Sequence, residues 1–292
     1  MLLSVHKDIR CLHGGSQPHL MQASDGQLYI VKFRNNPQGI RVLINELLSS
    51  RIAEIIGLPV PRVEVIRIDD SLTGSLKIEL VDGSVPVGAG LHCASKLIVD
   101  PVKGRFYDFL PAGELKRLVN KPDVMGAALF DFWTCNRDVR QVVFWRLCRE
   151  RNFKFSLIDN GFCFGGPEWR LSHGVIPEAP GTFGEFVNAK HWIDKIRRVT
   201  RDQMELICRE VPEEWCPERR QLEAMLDRLA CRQAEMLEVL KLAWGLPDQW
   251  WPESSDLWLS RTQWSSLTAG SFAEMAKSVV WRWTCPQFET TG

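Results

Sequence analysis

Lys32, Glu46, Asp138 and Asp159 are the side chains in this 292-residue chain whose types and order could carry phosphoryl transfer. That chemistry needs a cation on the nucleotide phosphates and an anion holding that cation in place. It also needs a carboxylate near the attacking hydroxyl and another to hold a divalent metal. Lys32 falls in the apolar run Leu28 to Phe33, and Glu46 follows one loop later in "INELL". A strand lysine and a helix glutamate so separated can meet, and their pairing would aim the ammonium at the α/β-phosphates. Asp138 separates two apolar runs in "FDFWTCNRDVRQVVFWR", and Asp159 ends the second strand beyond it. A short hairpin between them would bring both carboxylates to one edge, where they could share Mg²⁺–ATP.

Each residue also has a plainer account. A lysine in a strand is commonly an exposed edge residue, and a helix glutamate commonly faces water. Asp138, Asp159 and the dipeptide Asn160–Gly161 suit turns, because Asp and Asn bond their own backbone there. Only the ordered set of four, on these element types, favours the functional account.

The elements that must position them can be read from pattern. "HLMQASDGQLYIVKF" reads as a hairpin about Asp25–Gly26. Val42, Leu43, Leu47, Leu48, Ile52, Ile55 and Ile56 recur at helical spacing, with Gly57 as the cap and Pro59 and Pro61 beyond it. "RVEVIRI" alternates as a strand, with "SLKIELV" as its expected antiparallel partner, so the first third reads β-β-α-β-β. "VPVGAGLHCASKLIVDPVKG" reads as a connection. "PAGELKRLVN" and "PDVMGAALFDFWTC" read as helical, and "VVFWRL" and "FKFSLI" as strands joined by "CRERN". "GFCFGGPEW" is a Gly-rich loop, and Trp192 to Leu246 is mostly helical with a break at "VPEEWCPE". The expected class is α+β, with a β-rich N-terminal lobe over 1–95, a mostly helical C-terminal lobe over 96–251, and a Trp/Ser-rich tail over 252–292.

Composition narrows the function classes. With 36 basic and 36 acidic residues the chain has no net charge, which argues against a nucleic-acid or membrane-surface binder. Nine cysteines without a C-x-x-C pair argue against a disulfide framework or a zinc site and suit a reducing cytoplasm. The charged N-terminus does not read as a secretory signal, and no apolar run approaches a membrane span. The chain carries 12 tryptophans, but no basic run is interleaved with them, so packing or docking is favoured over base stacking.

"GGSQPHLM", "YIVKF", "NELLSSRIAEIIGLPVP", "GLHCASK", "YDFLP", "FDFWTCNRDVRQVVFWR" and "IDNGFCFGG" together resemble the HipA-like kinases, in order from about His13 to about Trp251. The resemblance implies a two-lobed, protein-kinase-like fold, Mg²⁺–ATP as cofactor and Ser/Thr phosphorylation. It implies Lys32 as the ATP-phosphate lysine, Glu46 as its helix partner and Asp138 as the carboxylate serving the acceptor hydroxyl. Asp159 would hold the metal. "HGGSQPH" would cover the phosphates, with Gly14 and Gly15 letting backbone N–H groups approach the oxygens. Ser16, in the same loop, would be a silencing phosphorylation site, since added negative charge repels ATP.

One position departs from the kinase pattern. Five residues after Asp138, where kinases keep a second metal-binding Asn, stands Val143. Gln141 is the nearest amide that could substitute, and Asn136 is a candidate for holding the loop or a ligand. If Gln141 faces the cleft, a metal site survives; if not, a pseudokinase becomes plausible.

Other candidates are weaker. Cys135, Cys148 and Cys163 read as buried thiols, His13, His19 and His92 lack metal spacing, and His173 reads as a loop residue. No nucleophile elbow, P-loop or dinucleotide fingerprint is present. The expectation is a cytoplasmic bacterial kinase with a protein acceptor and a possible antitoxin or regulatory partner, without membrane or direct nucleic-acid binding. The rivals are a nucleotide-binding pseudokinase, a kinase-fold nucleotidyl or small-molecule phosphotransferase, and a non-catalytic scaffold using the tail.

Overall fold

A computed structural model describes residues 2–172, 174–216 and 218–246 of the chain. The expected tail over 252–292 and His173 lie outside them.

The N-terminal part is built on a closed barrel in the order β1-β2-β3-β7-β4. Its strands are β1 (Leu3–Cys11), β2 (His19–Ala23), β3 (Leu28–Lys32), β4 (Val63–Ile68) and β7 (Gly90–Lys96). Strand alternation divides β3 cleanly. Tyr29 and Val31 point into the barrel, where they join Val5, Met21, Phe33, Ile66, Ile68 and Ala94 in one apolar cluster. Lys32 therefore points the other way, out of the barrel wall. Closure pairs β1 in parallel with β4 and leaves the barrel no free edge. The expected Asp25–Gly26 hairpin is present, with Gly26 at positive φ and Tyr29 Oη donating to Asp25 Oδ2 at 2.9 Å.

Three expectations need correction. β1 was not foreseen. β4 pairs antiparallel with β7, not with "SLKIELV". That segment forms β5 (Lys77–Leu80), which turns through Val81–Asp82 onto β6 (Gly83–Pro86) as a separate hairpin. The Gly- and Pro-rich "connection" contains β7, a strand bonded on both sides. Its alternation is hidden because the buried position 92 is a histidine, whose Nδ1 accepts from Arg34 N–H and whose Nε2 bonds Gly88 O. Burial pulls the His92 pKa down to about 4, so the ring sits there neutral.

Between β3 and β4 runs α1 (Arg41–Ile56), buried on nearly all sides. A helix so enclosed must bury its polar residues as well, and Asn45, Glu46, Ser49 and Ser50 are all inside. A single helical turn, α2 (Asp70–Thr73), follows β4. β8 (Gly104–Tyr107), β9 (Gln141–Leu147) and β10 (Lys154–Ile158) form a three-stranded antiparallel sheet in the order β10-β9-β8. "PAGELKRLVN" makes only a 3₁₀ turn, Ala112–Arg117, whereas α3 (Asp123–Thr134) forms as expected.

The helices α4 (Phe183–Arg197), α5 (Arg201–Cys208) and α6 (Arg219–Trp244) complete the chain, with a 3₁₀ turn at Glu213–Trp215 where the break was expected. α4 starts earlier than Trp192 because Thr182 and Glu185 close a reciprocal capping box, a signal legible as T-x-x-E. α1, α3, the three-stranded sheet and α4–α6 share a second, larger apolar cluster. Trp133 lies fully buried in it and donates its Nε1–H to Leu229 O at 3.0 Å, tying α3 to α6.

Gly126 lies where α3 meets α4, and a Cβ there would come within 2.4 Å of the Trp192 ring. Gly126→Ala should gain about 1 kcal/mol of helix propensity and lose about 1–3 kcal/mol to overpacking. Chemical denaturation should therefore show a net loss of about 1 kcal/mol; a stabilised variant would mean that Trp192 yields freely.

Candidate active site

The eight residues singled out by sequence line one cavity of about 310 Å³. Gly14, Gly15, Ser16, Lys32, Glu46, Asp138, Gln141 and Asp159 all contribute to its wall. Ile30, Pro61, Leu97, Ile98, Phe106 and Ile158 supply an apolar part of the same wall.

Lys32 ends β3 with its side chain directed at α1. Its Nζ donates to Glu46 Oε2 at 2.8 Å and to Asp159 Oδ1 at 2.6 Å. Burial alone would lower the lysine pKa, but the Asp159 and Glu46 carboxylates outweigh it and raise it above the usual value. Asp159 responds in the opposite sense. Burial would raise its pKa, yet Lys32 leads the charges and hydrogen bonds that hold it below the usual carboxylate range.

Asp159 follows β10 in the left-handed region, φ 57°, a conformation Asp tolerates better than most residues. Because Ile158 pairs with Gln141 across β10 and β9, Asp159 emerges beside Gln141. Gln141 Nε2 donates to Asp159 Oδ2 at 3.2 Å, and Gln141 lines the cavity, which is the first of the two alternatives that the sequence left open. Val143, two residues along the same strand, also faces the cavity and is buried, with no lone pair to offer.

Asp138 sits exposed in the loop between α3 and β9. Its backbone N–H donates to Asn136 Oδ1 at 3.2 Å, and its Oδ1 accepts from Val139 N–H at 2.8 Å. Asn136 Nδ2 in turn donates to Asp131 Oδ1 at 3.1 Å. Asn136 thus holds the loop, and it is not among the residues lining the cavity. Ser16 is buried and is one of the residues lining the cavity. Cys135 and Cys163 are buried as expected, and burial pushes the Cys163 thiol up to about 11; Cys148 is exposed, contrary to expectation.

Four positions that the sequence reading gave no role, or only a turn, organise this site. Arg140 is buried and grips both oxygens of Asp131, through Nε at 3.0 Å and through Nη2. Its Nη1 donates to Asn160 Oδ1 at 2.5 Å. Asn160 is fully buried and reaches Ser50 Oγ on α1 at 3.1 Å through its own amide, so it is much more than a turn residue. Asn45, on α1 beside Glu46, donates to the carbonyls of Gly161, Cys163 and Gly166 and accepts from Trp169 Nε1 at 2.7 Å. The signals were an Asn in mid-helix, where propensity disfavours it, and a second Arg within "NRDVR". Gly161 is required by closeness: a Cβ there would lie 2.4 Å from Val42 Cγ1 of α1.

The donor set bears on a metal. Among the described residues no group of three or more His, Cys, Asp or Glu is arranged to hold an ion. A cage of protein ligands is therefore not offered. One carboxylate and one amide oxygen in an open cavity do fit Mg²⁺, which takes few protein oxygens and completes its shell with phosphate and water.

The HipA-like kinase family model matches residues 7–253. The chain belongs to the HipA-like kinase family. No curated protein sequence matches it significantly. Among solved structures, the HipA-like chain is similar to the Helicobacter pylori proinflammatory kinase CtkA at 13% identity and a TM-score of 0.51, over 84% of this chain and 97% of that one. It is also similar to HipA of Shewanella oneidensis MR-1, solved with HipB and operator DNA, at 12% identity and a TM-score of 0.48, over 82% of this chain and 66% of that one. A Golgi casein kinase with Mn/ADP bound matches at 6% identity and a TM-score of 0.44, over 83% and 74%. Of these three, the match to CtkA is near enough to define a shared, kinase-like fold. Family and fold are those of a kinase-type phosphotransferase. Among the described residues no helix is long and apolar enough to cross a membrane.

The ion pairs set a pH window for this HipA-like site. Asp159, with its folded pKa depressed, contributes stability that is present above about pH 4 and lost as pH falls through the folded value. Lys32, with its folded pKa raised, contributes stability that is present below about pH 10 and lost as pH rises through the folded value. Lys32→Met should therefore move the Asp159 carboxyl titration upward, as read from its ¹³C carboxyl shift. An unmoved titration would mean that Lys32 is not what holds Asp159 ionised.

Proposed function

We propose that this chain is an ATP-dependent kinase that transfers the γ-phosphoryl group to a Ser or Thr hydroxyl, with a protein as acceptor. The observation that carries the reading is the position of Lys32 Nζ, held between Glu46 and Asp159 in the cavity that Asp138 and the Gly14–Gly15 loop also line. In this reading the cavity is the cleft between a β-rich lobe over residues 1–95 and a mostly helical lobe from 96 onward.

Each side chain has one task. Lys32, kept in place by Glu46, binds the α/β-phosphates of ATP. Gly14, Gly15 and Ser16 cover the phosphates from the barrel side, and the apolar wall around Ile30 and Ile158 takes the base. Asp159, with Gln141, would hold Mg²⁺, which neutralises charge building on the phosphate oxygens. Asp138 accepts the proton of the attacking hydroxyl as the oxygen–phosphorus bond forms and the bond from the γ-phosphorus to ADP breaks. The eight free cysteines among the described residues suit the cytoplasm. By analogy with the HipA neighbour solved with HipB, a regulatory protein partner belongs to the proposal.

A second reading rests on Val143. With an apolar residue at the second metal position, the chain would bind nucleotide and act as an interaction module without turnover. It predicts thermal stabilisation by ATP or ADP and no label transfer.

ATP labelled at the γ-position should pass its label to a protein acceptor. Asp138→Ala and Asp159→Ala should each lower that transfer by about 10²-fold or more. Transfer indifferent to both substitutions would remove the catalytic assignment. Label arriving from the α-position would instead mean nucleotidyl transfer.

A further inference from the structure

The loop that lines the cavity at Gly14, Gly15 and Ser16 is fastened by the next residue. Gln17 sits in the left-handed region, φ 48°, which a residue with a side chain enters only at a cost. Its amide spans to the β5–β6 hairpin and engages both backbone groups of one residue: Gln17 Nε2 donates to Glu79 O at 2.6 Å, and Glu79 N–H donates to Gln17 Oε1 at 2.8 Å. A single side chain thus stands where the neighbouring strand of a ladder would be. The hairpin is a firm anchor, because Leu76 and Ile78 beside Glu79 are buried in the core of the barrel. Within the loop, Gln17 N–H also donates to Gly14 O at 3.0 Å, closing the turn that carries the two glycines.

We infer that Gln17 is a positioning residue, which clamps the 13–18 loop to Glu79 and so holds its backbone over the phosphates of a bound nucleotide. This rests on the nucleotide-binding reading of the cavity and adds what keeps the loop closed. The clamp acts at the phosphate end only: Ile30, Ile98 and Ile158, on the apolar wall, belong to other segments. Its removal should therefore be felt by the triphosphate and not by the base and sugar. Glycine is the informative replacement. It accepts the positive φ without strain, so Gln17→Gly removes the clamp while relieving the backbone, and Gln17→Ala removes it without that relief.

The test uses the full chain. Calorimetric titration with Mg²⁺–ATP and with adenosine is compared for wild type, Gln17→Gly and Gln17→Ala, and amide hydrogen exchange is followed over residues 13–18 without nucleotide. Losing two neutral hydrogen bonds should weaken ATP binding about tenfold, leave adenosine binding unchanged and speed exchange in the loop in both variants. Unchanged ATP affinity, or an equal loss for adenosine, would overturn the clamp. A wild type that binds no ATP would instead sink the nucleotide reading. The exchange measurement still judges the clamp in that case, because loop protection equal in wild type and variants rejects it.

Discussion

A buried ammonium group governs the arrangement of this protein. Lys32 leaves a barrel wall pointing away from the barrel core, into a region where little water can solvate it. A charge placed there is tolerated only when paired and hydrogen-bonded. The two carboxylates that answer it come from different parts of the chain, Glu46 from the helix after the strand and Asp159 from a loop 127 residues away. That pairing forces barrel, helix and three-stranded sheet to meet at one point, and the cavity is the space left beside it.

The helix between them is held by polar contacts as well as apolar ones. Asn45, Ser49 and Ser50 all bond to the loop that begins at Asp159, and Asn160 answers from the other side. Arg140 extends the set to Asp131, whose second contact with Asn136 reaches the loop of Asp138. In a low-dielectric interior each such group is costly if left unmet, so the network permits one register of helix against loop and excludes its neighbours. The two catalytic candidates are thereby positioned through a shared frame, although Asp138 itself stays exposed. Val143 shows the limit of that frame, since it faces the same cavity with no polar atom, and Gln141 is the side chain that meets Asp159.

Many of the residues that share the cavity could be picked out in advance because they are uncommon residues in uncommon places. A lysine within "YIVKF" and an aspartate between two apolar runs are both conspicuous. The residues that went unread are those whose role is to bond a backbone or another side chain. Asn160 looks like half of a turn dipeptide until Arg140 and Ser50 are seen on either side of it. The fold was legible where periodicity is unmixed, as in α1, α3, β9 and β10. It was misread where a buried polar residue breaks the alternation, as His92 does in β7, and where strand partners are distant in sequence.

Taken alone, the amino-acid order determined the strands and helices whose periodicity is unmixed, such as α1, α3, β9 and β10, and which ionic groups sit at their ends. These are properties of neighbours a few residues apart, set by side-chain periodicity and backbone preference. Tertiary structure alone decided that β4 lies between β1 and β7, that Gln141 turns toward Asp159, and that Arg140 faces inward onto Asp131. Those outcomes depend on which surfaces meet when the chain closes. They are chosen by the cost of leaving a buried charge or amide unpaired, a cost that no local window of residues contains.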